Sequence, residues 1–186
     1  MAKPTGLLLK QLLVHSQLNT MADSKLIILR GLSGSGKSSI ARELQKRSKQ
    51  DTIIVEQDYF RNTLLQEKGD ARKASAEMLE QTVLIGLKHG YNVVLEGILN
   101  IKHYKELFDK IFSAHPQNNF IYFLDVDIDE TIKRHKARTK SAEFDENEMR
   151  SWAASATPAG YEFEIIHNNM TSIDAATQQI LLDTSL

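Results

Sequence analysis

Gly31-Leu32-Ser33-Gly34-Ser35-Gly36-Lys37-Ser38 matches G-x-x-x-x-G-K-[ST] at every fixed position. The stretch follows an apolar run, Leu26-Ile27-Ile28-Leu29, and opens into a helix-like pattern of Ile40, Ala41 and Leu44. Strand, glycine loop and helix in that order turn the string into a phosphate-binding loop; a flexible Gly/Ser linker would not be abutted by apolar elements on both sides. Glycines let the backbone curl until successive N–H groups converge, and the helix that follows adds its positive end. Gly31, Ser33, Gly34, Ser35, Gly36, Lys37, Ser38 and Ser39 are therefore the expected nucleotide-binding residues. Lys37 supplies a point charge for the β- and γ-phosphates, and the Ser38 hydroxyl a ligand for Mg2+.

Outward from the loop, strands and helices alternate. Strands are expected over 52–56, 92–96, 120–126 and 161–166, and helices over 37–49, 71–89, 102–114, 129–140 and 172–182, with a short one ending near Trp152. In the 71–89 helix Met78, Thr82, Val83 and Leu87 form the periodic pattern, and Gly90 is its C-cap. Short apolar strands between helices mean a three-layer α/β fold around a parallel sheet, whose ligands sit at the carboxyl ends of the strands. Residues 1–24 carry Leu8, Leu9, Leu12 and Leu13 and are expected to form a helical extension ahead of a domain over 25–186, with a lid at about 133–158.

Bulk composition narrows the partners. A chain of 186 residues suits one domain, and a net charge of −1 gives no broad basic face, which argues against nucleic acid. There is no cysteine, so disulfides, thiolate metal sites and cysteine nucleophiles are excluded, and a reducing cytoplasm is the expected compartment. No apolar run approaches the roughly 18 residues of a membrane span. Lys10 and Gln11 interrupt the N-terminal apolar stretch, so no signal peptide is expected. The oligomeric state is open between monomer and homodimer.

A bound triphosphate can drive a switch, a motor, or phosphoryl transfer. The N-K-x-D and D-x-x-G strings of guanine-nucleotide switches are missing, and the third strand ends in Glu96-Gly97 where motors carry paired carboxylates. Transfer to a small acceptor is left. Asp58, just past the second strand, is the candidate base that would take the acceptor's proton, with the N-cap of the helix beginning at Tyr59 as the competing use of its oxygens. Arg61, one turn on, is placed to anchor a charged acceptor group. Glu96 closes an apolar strand beside the phosphate site, suited to Mg2+ or its waters, or simply to a strand end at the surface. Arg134 and Arg138 lie four apart on one helix face, aimed either at the moving phosphoryl group or at solvent and Glu130. His135 reads as a helix-surface histidine, and Asp125 and Asp127 as turn and N-cap residues.

With these residues in place the chain resembles the small P-loop kinases of the nucleoside, nucleotide and sugar kinase group, and more narrowly the zeta-toxin-like and chloramphenicol-phosphotransferase-like members. The resemblance rests on Gly31-x4-Gly36-Lys37-Ser38, Asp58-x-x-Arg61, Leu95-Glu96-Gly97 and the arginines after the fourth strand. It implies a P-loop NTPase fold with five parallel strands in the order 2-3-1-4-5, a small helical lid, ATP at the loop, Asp58 as base, and Arg134 and Arg138 as lid groups. These kinases often carry Asp-Gly-Asp after strand two; here the residues are Glu56-Gln57-Asp58. The expected activity is transfer of the γ-phosphoryl group of Mg2+-ATP to a hydroxyl of a small molecule. The alternatives are a nucleotide-sugar or polynucleotide 5′-hydroxyl kinase and, from another class, a regulatory module with slow ATP hydrolysis.

Overall fold

A computed structural model describes residues 23–67, 73–136, 145–153, 156–168 and 172–186. Its elements run β1 (Leu26–Gly31), α1 (Lys37–Arg47), β2 (Thr52–Glu56), a π-helical stretch (Tyr59–Leu64), α2 (Lys73–Lys88), β3 (Asn92–Gly97), α3 (Ile101–Ala114), β4 (Asn119–Asp125), α4 (Ile128–Lys136), α5 (Glu146–Ala153), β5 (Glu164–Asn168) and α6 (Ile173–Thr184). The five strands form one parallel sheet in the order β2-β3-β1-β4-β5, the order the resemblance implied.

Every residue of β1 is buried, because this central strand has helices on both sides. Leu26 and Ile28 join the core beneath α2 and α3, with Leu79, Val83, Leu87, Phe108 and Ile111. Ile27 and Leu29 point the other way, to Ile40, Leu44 and Ile180 of α1 and α6. Each such fully buried aliphatic side chain contributes about 1.5–3 kcal/mol. This double burial is what makes the strand read as an unbroken apolar run.

Local chemistry ends the elements. The Asn100 side chain accepts from the Lys102 N–H (3.0 Å) to cap α3, and Ser172 accepts from the Ala175 N–H (3.1 Å) to cap α6. Helix α2 closes with Gly90 at φ 83°, where the Tyr91 N–H reaches the Gly86 carbonyl (3.1 Å) and the Gly90 N–H reaches Leu87 (3.0 Å).

Four expectations need correction. The last strand starts at Glu164, three residues later than its alternating pattern suggested. Tyr161 and Phe163 leave the sheet to place their rings 5.2 and 5.3 Å from that of Phe112, and the Glu164 carboxylate is drawn to Arg30. Helix α1 stops at Arg47, since Ser48 has extended backbone and turns the chain toward β2. Met78 and Thr82 face outward on α2, whose inner face is Ser75, Leu79, Val83, Gly86 and Leu87. His135 is buried on the inner face of α4 together with Thr131 and Ile132. Residues 1–22 of the expected 1–24 extension, Arg138, and residues 137–144 and 154–155 of the 133–158 segment lie outside the described residues.

Candidate active site

The loop between β1 and α1 keeps its shape through glycine. Gly34 (φ 84°) and Gly36 (φ 103°) lie in the left-handed region, where an L side chain is strained. Gly34 is also pressed against α4, since a Cβ there would stand 2.8 Å from the Thr131 carbonyl oxygen. Gly36 is the N-cap of α1, so the loop's amides lead into the first turn of that helix. Ser35 closes a turn through its N–H to the Leu32 carbonyl (3.1 Å), and its hydroxyl is buried with no partner among the described residues. Lys37, buried, curls back so that Nζ donates to the Leu32 carbonyl (2.7 Å). Ser33 and Ser39 flank the same loop, half-buried.

The strand ends on either side bring carboxylates to this loop. The Ser38 hydroxyl donates to Glu96 Oε1 (2.6 Å), and Glu96 is 6% exposed. Burial pushes the Glu96 carboxyl above its ordinary value, Lys37 and the Ser38 hydroxyl draw it down, and the nearby Asp58 and Glu56 carboxylates add to the rise. Glu56 stands directly beside Glu96 in the β2–β3 register. A buried carboxylate and a hydroxyl are hard oxygen donors, and Mg2+ takes one or two protein oxygens while retaining water and phosphate ligands. The pair fits that ion, whose charge would offset the desolvation of Glu96. Among the described residues no group of three or more acidic or imidazole side chains forms a metal cluster of its own.

A stability test follows from the sign of this shift. A carboxyl raised above its unfolded value binds its proton more tightly in the folded state, so ionisation destabilises the fold, fully so above the raised pKa and not at all once pH falls below the unfolded one. Glu96→Gln is therefore expected to raise the melting temperature at neutral pH, with the gain vanishing on acidification. A Mg2+ ion held by Ser38 and Glu96 would in the same variant bind the nucleotide-loaded protein more weakly, by roughly tenfold or more. Thermal melts across pH, with and without Mg2+, check both.

Asp58 occupies the N-cap position of the π-helical stretch, yet its carboxylate makes no capping hydrogen bond and is exposed at the mouth of the site. The competing use of its oxygens is thus not taken up. Arg61 is half-buried, with Nε out of reach of solvent and, among the described residues, of any hydrogen-bond acceptor. Arg134 donates to Glu130 Oε1 (2.8 Å), the exchange expected if it were a surface cation, but it does so on the helix whose Thr131 touches the loop. Arg150 is held by Asp129 and Glu146. Asp127 Oδ1 accepts from the Asp129 N–H (2.8 Å), the capping role read from its position.

Two residues that the sequence did not single out complete the surroundings. Arg30, the last residue of β1 before Gly31, is fully buried. Its Nη1 donates to Glu164 Oε1 (2.8 Å), Nε and Nη2 to the Leu99 carbonyl (3.2 and 3.1 Å), and Nη2 also to the Thr157 carbonyl (3.0 Å). The guanidinium lies between the rings of Phe108 and Phe123, 5.9 and 5.8 Å from their centroids. Gln57, 3% exposed, bridges Tyr104 and Leu99. The only signal for Arg30 is a charge inside an otherwise apolar run, and its counter-ion is 134 positions away.

Comparison with known proteins places this arrangement. The APS kinase of Mycobacterium tuberculosis in complex with AMPPNP and APS is 21% identical with TM-score 0.65, covering 88% of this chain and 98% of that one. A gluconokinase from Sinorhizobium meliloti 1021 is 16% identical with TM-score 0.66, covering 88% and 93%. The tunicamycin resistance protein of Deinococcus radiodurans is 13% identical with TM-score 0.64, covering 88% and 96%. At these identities the likeness is one of fold. No sequence among functionally curated proteins matches the chain. A family model described as AAA domain matches residues 26–159, which span β1 to the return from α5 and include the phosphate loop, Asp58, Glu96 and Arg134; the chain belongs to this family and has the fold of a small P-loop kinase.

Proposed function

We propose that the protein is a Mg2+-ATP-dependent kinase that transfers the γ-phosphoryl group to a hydroxyl of a small, negatively charged molecule. The observation that carries this reading is the pairing of a phosphate loop with an uncapped carboxylate, Asp58, at the end of the strand that flanks Glu96. The loop amides and Lys37 would hold the phosphates, and Ser38 with Glu96 the metal, which neutralises phosphate charge when bound. Asp58 would accept the acceptor's proton as its oxygen bonds to the γ-phosphorus and the bond to the β–γ bridging oxygen breaks, releasing ADP.

Arg61 supports an anionic acceptor. It stands one helical turn from Asp58, half-buried and with no ion-pair partner among the described residues, so the charged end of its side chain would be free to pair with an acidic group on the substrate. Arg134 and, on the same helix face by sequence, Arg138 would be the lid groups, Arg134 exchanging Glu130 for phosphate oxygens as charge develops. The domain would then comprise residues 25–186, with the 133–158 segment as lid and residues 1–24 as an extension.

A panel of alcohols with and without phosphate, sulfate or carboxylate groups tests the proposal by stimulation of ADP release from Mg2+-ATP. Anionic members are expected to accelerate release, and Arg61→Ala to raise their KM roughly tenfold or more. ADP release that no alcohol accelerates would overturn the kinase reading. Acceleration by neutral alcohols alone would overturn the role given to Arg61.

A further inference from the structure

Leu99 is a fully buried leucine in the left-handed region, φ 44°. A bulky residue persists there only where its surroundings over-determine it. Both of its main-chain polar groups are gripped. The N–H donates to Gln57 Oε1 (2.9 Å), while the carbonyl accepts twice from the Arg30 guanidinium. Gln57 immediately precedes Asp58, and Arg30 immediately precedes the phosphate loop. Leu99 itself lies three residues beyond Glu96. One strained residue thus ties together the ends of the three strands that carry the loop and the two candidate carboxylates.

Gln57 is fully committed to this joint. Its Nε2 donates to the Tyr104 hydroxyl on α3 (2.9 Å), and its aliphatic part lies on Gly97, where a Cβ would stand 2.6 Å from Gln57 Cβ. A leucine would fill the same volume, so space alone does not call for an amide. A buried amide costs free energy unless its hydrogen bonds are made, and here they are made to the Leu99 turn and to α3.

We infer that Gln57 is a positioning residue: through the Leu99 turn it holds the end of β2, and with it the Asp58 carboxylate, at a fixed place relative to the phosphate loop, with Arg30 as the grip on the loop side. The inference rests on the proposed role of Asp58 as base. Phosphoryl transfer depends on in-line placement of the nucleophile, and a displacement of about 1 Å can cost on the order of a hundredfold in rate.

A double-mutant cycle tests it with radiolabelled Mg2+-ATP and water as the acceptor, reading ADP release for the wild type, Gln57→Leu, Asp58→Asn and the double variant. Gln57→Leu is expected to lower release at saturating ATP roughly ten- to hundredfold with the KM for ATP within about twofold, and to add nothing in the Asp58→Asn background. Losses that multiply, or a Gln57→Leu enzyme as fast as the wild type, overturn the inference while leaving the kinase reading intact. An Asp58→Asn enzyme that releases ADP at the wild-type rate overturns the role of Asp58 as base and the inference with it. Should Gln57→Leu fail to fold, Tyr104→Phe removes only the hydroxyl beyond Gln57. It is expected to show a smaller loss of turnover that disappears in the Asp58→Asn background, and an equal loss in both backgrounds overturns the inference.

Discussion

Asp58→Asn is expected to leave ATP binding intact and to lower turnover with an accelerating alcohol by roughly a hundred- to ten-thousand-fold, the range that a positioned general base contributes. The amide keeps the size and one acceptor oxygen of the carboxylate but takes up no proton. Because the Asp58 side chain makes no capping bond, stability should change little, which separates this outcome from a folding defect. The comparison needs two measurements on the same preparation, the thermal shift produced by Mg2+-ATP and the rate of ADP release. Unchanged transfer would remove Asp58 from the mechanism, whereas lost nucleotide binding would point to Asp58 serving the metal site instead.

The largest stability effect is expected at Arg30. Replacing it by Met leaves the Glu164 carboxylate, whose side chain is 3% exposed, without its counter-ion and the carbonyls of Leu99 and Thr157 without those donors. Breaking a buried pair in this way costs about 3–5 kcal/mol. For a chain of this length that is a drop of roughly 10 °C in melting temperature. The Ala159 and Gly160 N–H groups still bond Glu164 Oε2 (2.6 and 3.0 Å), so part of the return segment should stay in place. Adding Glu164→Gln to Arg30→Met removes the stranded charge and is expected to recover a substantial share of the loss. A double variant no more stable than Arg30→Met would show that Arg30 acts through its carbonyl bonds and aromatic neighbours rather than through the ion pair.

What could be read from the chain alone divides along a physical line. The phosphate loop, the buried strands and the carboxylate closing β3 are local in sequence, since each is fixed by a few consecutive residues and by the periodicity of burial. The strand order came from resemblance and matches the sheet. Interactions set by distant partners were not legible. Arg30 looks like an interruption of an apolar strand until Glu164 is brought beside it, and Gln57 looks like a simple departure from Asp-Gly-Asp until Gly97, Leu99 and Tyr104 surround it. The start of β5 was misplaced for the same reason: Tyr161-Glu162-Phe163-Glu164 alternates like a strand, but the rings are claimed by α3 and the second glutamate by β1. Helix α2 shows the converse, where propensity and period found the helix while the choice of inner face depended on the sheet it covers.

The absence of a side chain at position 34 has an engineering corollary. With the backbone of α4 seated directly on the loop at Thr131, the two behave as meshed teeth, and neither can be redesigned alone. A chimera that imports the segment after β4 from another protein of this fold must also import a helix whose carbonyl at that point clears the loop by the same margin. A graft that matches only the arginines would arrive with its charges in register and its backbone in collision.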